Sequence, residues 1–367
     1  MRTLRSVFPV LLLLAALAAA QQSQVRDTLP VPDVPGYKTL KCDFHMHTVF
    51  SDGEVWPNAR LVEAFRDGLD AISITDHASY NPHKEDVKVD LARPYELTRR
   101  TAAQLGLILI PGVEVNDGNI HYNAIFLTDP NALVGVDLKE ALRRAKQQGA
   151  FAFWNHPGWK GTPEWFPLVA DLYRDELFHG MELLNGPTFY PEAYPWVEEK
   201  KLTIFANSDI HRPIADEYER RTRPVTLVFA RTADAAGIKE ALVERRTAAW
   251  MNGEVYGQAE HLAALFAGAV QAEPAVIQAA PGRGAALRLR NTSALPFQVR
   301  LRNAPAWLKF GSASIRPEAT AGLALAIAKD APADEHRVEL EFEVANFHTG
   351  PDRTLVVKLP LTVKVGP

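Results

Sequence analysis

The sequence predicts an α/β domain built from consecutive βα units, followed by a small all-β sandwich domain. Three observations lead there. Between residues 40 and 246, short apolar runs alternate with amphipathic segments at helical spacing. From about residue 270 the helical period disappears and two-residue alternation replaces it, as in Val338–Glu339–Leu340–Glu341–Phe342–Glu343–Val344. Finally, His, Asp and Glu recur where the apolar runs of the first part end, a pattern that a purely structural core does not need.

In chain order, Arg2 and Arg5 precede an apolar run over residues 7–19, and Ala18, Ala19 and Ala20 precede Gln21. A basic start, a short apolar centre and small residues at its end read as a signal peptide over 1–20, so the mature chain is expected outside the cytoplasm, secreted or periplasmic. The run is too short to span a bilayer comfortably, although an uncleaved anchor is the alternative. No later stretch is long and apolar enough to span, so the mature chain is expected to lack a transmembrane segment. Residues 21–38, rich in Gln and Pro, read as a linker or wrapped arm. Strands are expected at 40–44, 71–75, 107–113, 123–127, 151–154, 180–184, 203–207 and 225–229. Between them, Pro57 opens a helix with Leu61, Phe65 and Leu69 on one face, Pro94 and Gly106 bracket a second, Asp137 with Glu140 caps a third that stops at Gly149, and 233–246 carries a fourth. The predicted domains are 39–252 and 275–367, joined by a bridge at 253–274 with a short helix near residues 261–266. The number of βα units suits a barrel, and an open sheet is the other arrangement compatible with it.

Bulk composition narrows the function. The chain of 367 residues has 47% hydrophobic and 23% charged residues, an ordinary globular balance. Loss of residues 1–20 removes two of the 40 basic residues and leaves 38 against 44 acidic ones. That balance argues against an extended electrostatic grip on nucleic acid. Cys42 is the one cysteine, so no intrachain disulfide is possible.

His45 and His47, two apart at the end of a strand, present two imidazoles on one face, and Asp52 follows five residues later. Asp76–His77, Glu114, Asn155–His156 and Asp209–Ile210–His211 end later apolar runs, and His121 opens one. In parallel βα folds the carboxyl ends of the strands meet, so such residues converge even when distant in sequence. Imidazoles mixed with carboxylates suit Zn²⁺, Mn²⁺ or Fe²⁺ rather than Mg²⁺ alone. His83, His179, His261, His336 and His348 do not share this placement. Asp76 reads as a turn cap or a partner of a ligand histidine, Asp43 as structural, and Asn155 as a loop-fixing residue. Lys84, Arg212, Arg220 and Arg221 read as solvated surface, with phosphate contact as the other reading. Trp154 and Trp159 read equally as core or as pocket wall.

The ordered set His45–x–His47 with Asp52, Asp76–His77, Glu114, His121, Asn155–His156–Pro157 and Asp209–x–His211 resembles the PHP (polymerase and histidinol phosphatase) superfamily, over roughly residues 38–230, and within it a secreted phosphodiesterase-like branch, which includes phosphodiesterases acting on dialkyl phosphates. The resemblance implies a distorted (β/α)7 barrel with two or three divalent metal ions at its carboxyl-end face, and residues 225–229 are then taken as an addition at the sheet edge. It implies that His45, His47, Glu114 and Asp209 hold one ion, that Glu114, His121 and His156 hold a second with Glu114 bridging, and that Asp52, His77 and His211 hold a third. Asp209, His211 and His83 are carried as catalytic positions, His83 as a candidate acid for the leaving group. The function implied is hydrolysis of a small phosphate ester, a diester first, by a metal-activated hydroxide. A phosphomonoesterase for nucleotides or sugar phosphates, and a non-catalytic metal-binding scaffold, are the alternatives.

Overall fold

The computed structural model describes residues 25–366; the expected signal peptide lies outside them. The first part contributes β1 (Lys38–Asp43), β2 (Ala71–Ile74), β3 (Ile108–Asp117), β4 (Ile120–Ile125), β5 (Phe151–Trp154), β6 (Gly180–Asn185), β7 (Thr188–Phe189), β8 (Thr203–Asn207), β9 (Val225–Ala230), β10 (Thr247–Met251) and β11 (Glu254–Gly257). Strands β1, β2 and β3 pair in parallel, as do β5, β6 and β8. A parallel bridge between Met46 and Ile210 ties the segment after β8 to the segment after β1. The His47 amide donates to the Ile210 carbonyl at 3.0 Å, and the Asp209 amide to the His45 carbonyl at 2.9 Å.

Two expectations need correction. The strands are not a uniform parallel series, because β4 runs antiparallel to both β3 and β5. The cause is local: a two-residue turn, Gly118–Asn119, folds β3 back on itself, and Gly118 supplies its positive φ of 56°. Reversal puts the start of β4, where His121 lies, beside the carboxyl ends of its neighbours. The second correction concerns β9. It is not an edge addition but lies between β1 and β10, antiparallel to both.

Helices Pro57–Arg66, Arg93–Leu105, Leu138–Gln147 and Ala235–Val243 cover the sheet. The Asp137 carboxylate caps the third by accepting from the Glu140 amide at 2.8 Å, and Asp234 caps the fourth through Gly237. Within the strands, Phe44, Phe151, Phe153 and Phe205 form one buried cluster, with the Phe153 and Phe205 rings stacked at 4.2 Å. The N-terminal arm is packed onto this body: Leu29 and Val34 are buried, and the Asp27 amide donates to Arg66 O.

The second part contributes β12 (Val270–Glu273), β13 (Val276–Ala279), β14 (Gly284–Asn291), β15 (Phe297–Asn303), β16 (Leu308–Lys309), β17 (Ser312–Ile315), β18 (Thr320–Ile327), β19 (Glu335–Gly350) and β20 (Arg353–Val365). One sheet has the order β12-β14-β18-β16, and β14 and β18 each bury every second side chain. Opposite lie β13, β20, β19, β15 and β17. The two inner faces share one apolar core, with Leu287 and Leu325 from one sheet and Phe342 and Val363 from the other. Beyond an irregularity between Val344 and His348, β19 pairs in parallel with β11, so a single strand belongs to both parts. No described helix is long and apolar enough to cross a membrane.

A buried charge pair anchors β1. Asp43 is fully buried and accepts from Arg223 at 2.6 Å, while the same guanidinium donates to Asp67 at 2.7 Å. Arg223→Ala leaves the Asp43 carboxylate buried without its counter-charge and is expected to cost about 3–5 kcal/mol. Urea unfolding checks this. A midpoint equal to wild type would show that Asp43 does not depend on Arg223.

Candidate metal centre

The segment after β1 delivers His45 and His47, and the loop beyond it delivers Asp52. His77 follows β2, Glu114 lies on β3, His121 begins on β4, His156 follows β5, and Asp209 and His211 follow β8. All nine predicted ligands come together. Glu114 is the centre: its Oε2 is 3.2 Å from both His45 Nε2 and His47 Nε2 and 3.1 Å from His77 Nδ1. Its Oε1 is 2.8 Å from His121 Nδ1 and 3.5 Å from His156 Nε2. Asp209 Oδ1 is 3.1 Å from His45 Nε2 and 3.0 Å from His47 Nε2. Asp52 reaches His211 Nε2 at 3.3 Å and His77 Nε2 at 3.7 Å.

The ligand-sized groups cut this set differently from the expected assignment. His47 converges with Asp52, His77 and His211; His45 converges with His47 and Glu114, and also with His156 and Asp209; His77 converges with Glu114 and His121. His45, His47, His77 and Glu114 are thus shared between groups, as expected of a continuous cage rather than separate pockets.

The geometry is held from behind. Glu182, fully buried on β6, accepts from His45 Nδ1 at 2.8 Å, which turns the Nε2 lone pair toward Glu114. The same carboxylate accepts from the His156 amide and from the side chains of Asn185 and Asn207. Arg60, only 1% exposed, donates to the carbonyls of His47, Ile210 and Arg212 and so clamps the two ligand loops together. Ser51 lies 3.2 Å from His47 Nδ1 and donates to Asp76, which also accepts from the amide and hydroxyl of Thr48. The Asp76 carboxylate therefore fixes the loop after β1 and connects to His47 through Ser51, while the Asp76 carbonyl accepts from the Glu114 amide at 3.2 Å. Asn155 donates to Glu114 Oε1 at 2.9 Å. His211 Nδ1 donates to its neighbour Asp209's carbonyl, leaving Nε2 toward Asp52.

The backbone is also constrained. His156 and Asp209 have positive φ values of 28° and 52°, a region that side-chain-bearing residues rarely adopt. A Cβ on Gly53 would meet the His47 carbonyl carbon at 2.5 Å, so glycine lets the Asp52 loop close onto β1's extension.

Electrostatics follow from burial. Burial alone would push His45 down, yet Asp209, Glu182 and Glu114 raise it well above its ordinary value. Burial is likewise outweighed at His47, which Asp209 and Glu114 lift to about 10, and at His156, which Glu114 and Asp209 raise. His77 goes the other way, to about 4, because burial and the neighbouring His47 and His121 outweigh Glu114 and Asp52. Burial opposes ionisation of Glu114, Asp209 and Asp52, but the surrounding imidazoles hold all three below the usual carboxylate range. The carboxylates need positive charge beside them. Protons on the rings or divalent cations supply it, and ligation requires those protons to leave.

The polar atoms at the centre fit cations. Asp52 Oδ1, His77 Nδ1 and Asp209 Oδ1 are buried and have no hydrogen-bond partner. Asp209 Oδ1 lies close to two imidazole nitrogens without the angles of a hydrogen bond, as lone pairs aimed at a common point would. A cavity of about 550 Å³ opens on the cage and is also lined by Ser79, Tyr80, Asn116, Trp159 and Lys160.

Other singled-out residues fall elsewhere. His83 is absent from the cavity wall; its amide donates to Asn81, and its buried Nε2 has no partner. Arg220 and Arg221 both grip Asp27 of the N-terminal arm, and Arg212 lies nearest Glu54 and Asp216, while Lys84 is exposed. Trp154 is core, stacked on Trp196, whereas Trp159 stands in the cavity mouth. His179, His261, His336 and His348 join none of the ligand groups.

Glu182 and Arg60 are functional neighbours that the motifs do not reveal. Glu182→Gln weakens the acceptor behind His45 and is expected to lower divalent-metal affinity about 10–100-fold, measured by competition with a chelator. An affinity equal to wild type would show that Glu182 serves only the fold.

No family model matches the chain. A two-domain protein from Bacteroides vulgatus, described as containing a predicted PHP-like metal-dependent phosphoesterase, is 40% identical, with 92% of this chain and 100% of that one covered and a TM-score of 0.86. An uncharacterized protein of Methanocaldococcus jannaschii is 42% identical over 77 residues, 21% of this chain, and the match spans only 34% of that relative's length. A candidate metal-dependent phosphoesterase from Bifidobacterium adolescentis is 14% identical over 56% of this chain and 96% of its own, with a TM-score of 0.40, a likeness too slight to carry weight. Identity of 40% along nearly the whole of both chains, together with the ligand motifs in their order, makes this chain a member of the PHP superfamily.

Proposed function

We propose that this chain is an exported metal-dependent phosphoesterase that hydrolyses phosphodiesters in preference to monoesters. The observation that carries the reading is the cage itself: three carboxylates and six imidazoles converge at one end of the strands, with buried atoms that lack partners, and open into a cavity. We read the strands β1 to β6 with β8 as a distorted (β/α)7 barrel, residues 39–252 as its domain, and residues 275–367 as a β-sandwich.

His45, His47, Glu114 and Asp209 would hold one ion, Glu114, His121 and His156 a second, and Asp52, His77 and His211 a third, with Zn, Mn or Fe as the elements that suit the donors. Such ions lower the pKa of water toward neutrality and take up charge on phosphate oxygens. The chain's own contribution is placement. Glu182 and the Asp209 carbonyl set the hydrogen-bonded nitrogens of His45 and His211, which leaves the opposite nitrogens for ligation. Arg60 keeps the β1 and β8 loops in register, and burial of Glu114 shields its carboxylate from bulk water. Asp209 and His211 are the proposed catalytic positions; both line the cavity, and the His211 side chain is 34% exposed. His83 has no place on the cavity wall, so its role as the acid for the leaving group has no geometric support.

A non-catalytic scaffold is disfavoured because the cage is open on one side. A closed structural site needs no such opening. Purified protein is expected to hydrolyse bis(4-nitrophenyl) phosphate faster than 4-nitrophenyl phosphate. Loss of at least about 100-fold in rate is expected in EDTA and in His45→Ala, the scale seen when electrostatic stabilisation of a transition state is removed. Undiminished turnover under both treatments would overturn the assignment, and faster monoester turnover would reverse the preference.

A further inference from the structure

We propose that Tyr80 and Trp159 form an aromatic subsite beside the cage, which selects phosphate esters bearing a planar ring, an aryl or nucleoside substituent, over saturated alkyl esters. This rests on the phosphoesterase reading and names the substrate class of that same site.

Tyr80 and Trp159 are 56% and 51% exposed, and among the described residues only Trp56 is a further exposed large aromatic side chain. Both line a cavity that opens on the cage. Exposed tryptophan and tyrosine at the mouth of a polar site leave apolar area in water, which a bound ring would cover. Their rings sit against ligand imidazoles: Trp159 lies 5.2 Å from His121 and 5.4 Å from His156, and Tyr80 lies 6.2 Å from His77. A substituent on a phosphate held at the cage therefore passes directly into their reach.

Both aromatic loops are fastened to the cage. The Trp159 amide donates to the His156 carbonyl at 3.0 Å, and Gly158 packs so closely that a Cβ there would meet Pro163 at 2.8 Å. On the other side the Ala78 amide donates to the Glu114 carbonyl, and Ser79 donates to Asn116 at 2.7 Å. The rings are thus positioned before a ligand arrives, which lowers the entropic cost of stacking. Lys160 lies over the Trp159 ring at 4.0 Å. Its ammonium adds positive charge at the mouth that favours an anionic ester.

Phenylphosphonate and cyclohexylphosphonate resist hydrolysis, are close in size and differ in planarity. Calorimetric titration of the Mn²⁺-loaded protein is expected to show phenylphosphonate bound about tenfold more tightly, within the range of ring stacking on protein aromatics. Trp159→Ala is expected to bring the two affinities within about twofold of each other, Tyr80→Ala to narrow the gap, and Trp159→Phe to retain it. Equal affinities in wild type, or a preference that survives in both alanine variants, would overturn the proposal. Hydrolysis of bis(4-nitrophenyl) phosphate by the same preparations separates the outcomes: turnover without ring preference sinks the subsite alone, and absence of turnover sinks the esterase reading whatever the affinities are.

Discussion

A carboxylate buried among imidazoles is the constraint that organises this molecule. Glu114 has five histidine nitrogens within 3.5 Å and almost no contact with solvent. Such a group is costly to bury unless positive charge stands beside it in a fixed arrangement. Much of the surrounding architecture serves that arrangement. The β3–β4 reversal brings His121 to the same end as the parallel strands, the Met46–Ile210 bridge joins the first and last ligand loops, and buried Arg60 stitches their carbonyls together. Glu182 and Asn155 then orient the ligands from behind.

The ligands themselves were legible because chemistry restricts their type. Histidine and acidic residues at the ends of apolar runs have few structural uses, and the same placement recurs at five strands. The supporting shell was harder to read. Glu182 is a single acid in Met181–Glu182–Leu183–Leu184, and its only sequence signal is that it interrupts a buried strand. Arg60 occupies a helix position where a solvated arginine is the ordinary expectation, and burial follows only from the approach of the β8 loop. The hairpin at Gly118–Asn119 carried a turn signal, but the apolar runs around it read as further parallel units. The position of β9 between β1 and β10 depends on long-range pairing that no local pattern encodes. Helices Pro167–Arg174 and Tyr194–Glu199 have proline in their first turns, yet are too short for a helical period to stand out.

The second part is not a simple appendage. β19 continues from its own sheet into pairing with β11, His348 meets Glu254 at 2.6 Å, and Tyr194 donates to the His348 carbonyl. One apolar cluster runs from Leu61 and Leu227 in the first part to Phe342 and Val363 in the second. Removal of residues beyond about 270 would therefore strip an edge from the first sheet as well as delete the second, and its effect on activity would not isolate a docking role. The contribution of this region is continuous with the stability of the strand layer that carries the cage.

Nine side chains spread from His45 to His211 form one cage, which we read as a site for divalent ions. Elemental analysis of protein purified without a metal-affinity step tests it most directly. Two or three equivalents of Zn, Mn or Fe per chain are expected, with at least one equivalent lost in His45→Ala. Less than one equivalent, even after incubation with each ion and removal of the excess, would contradict it.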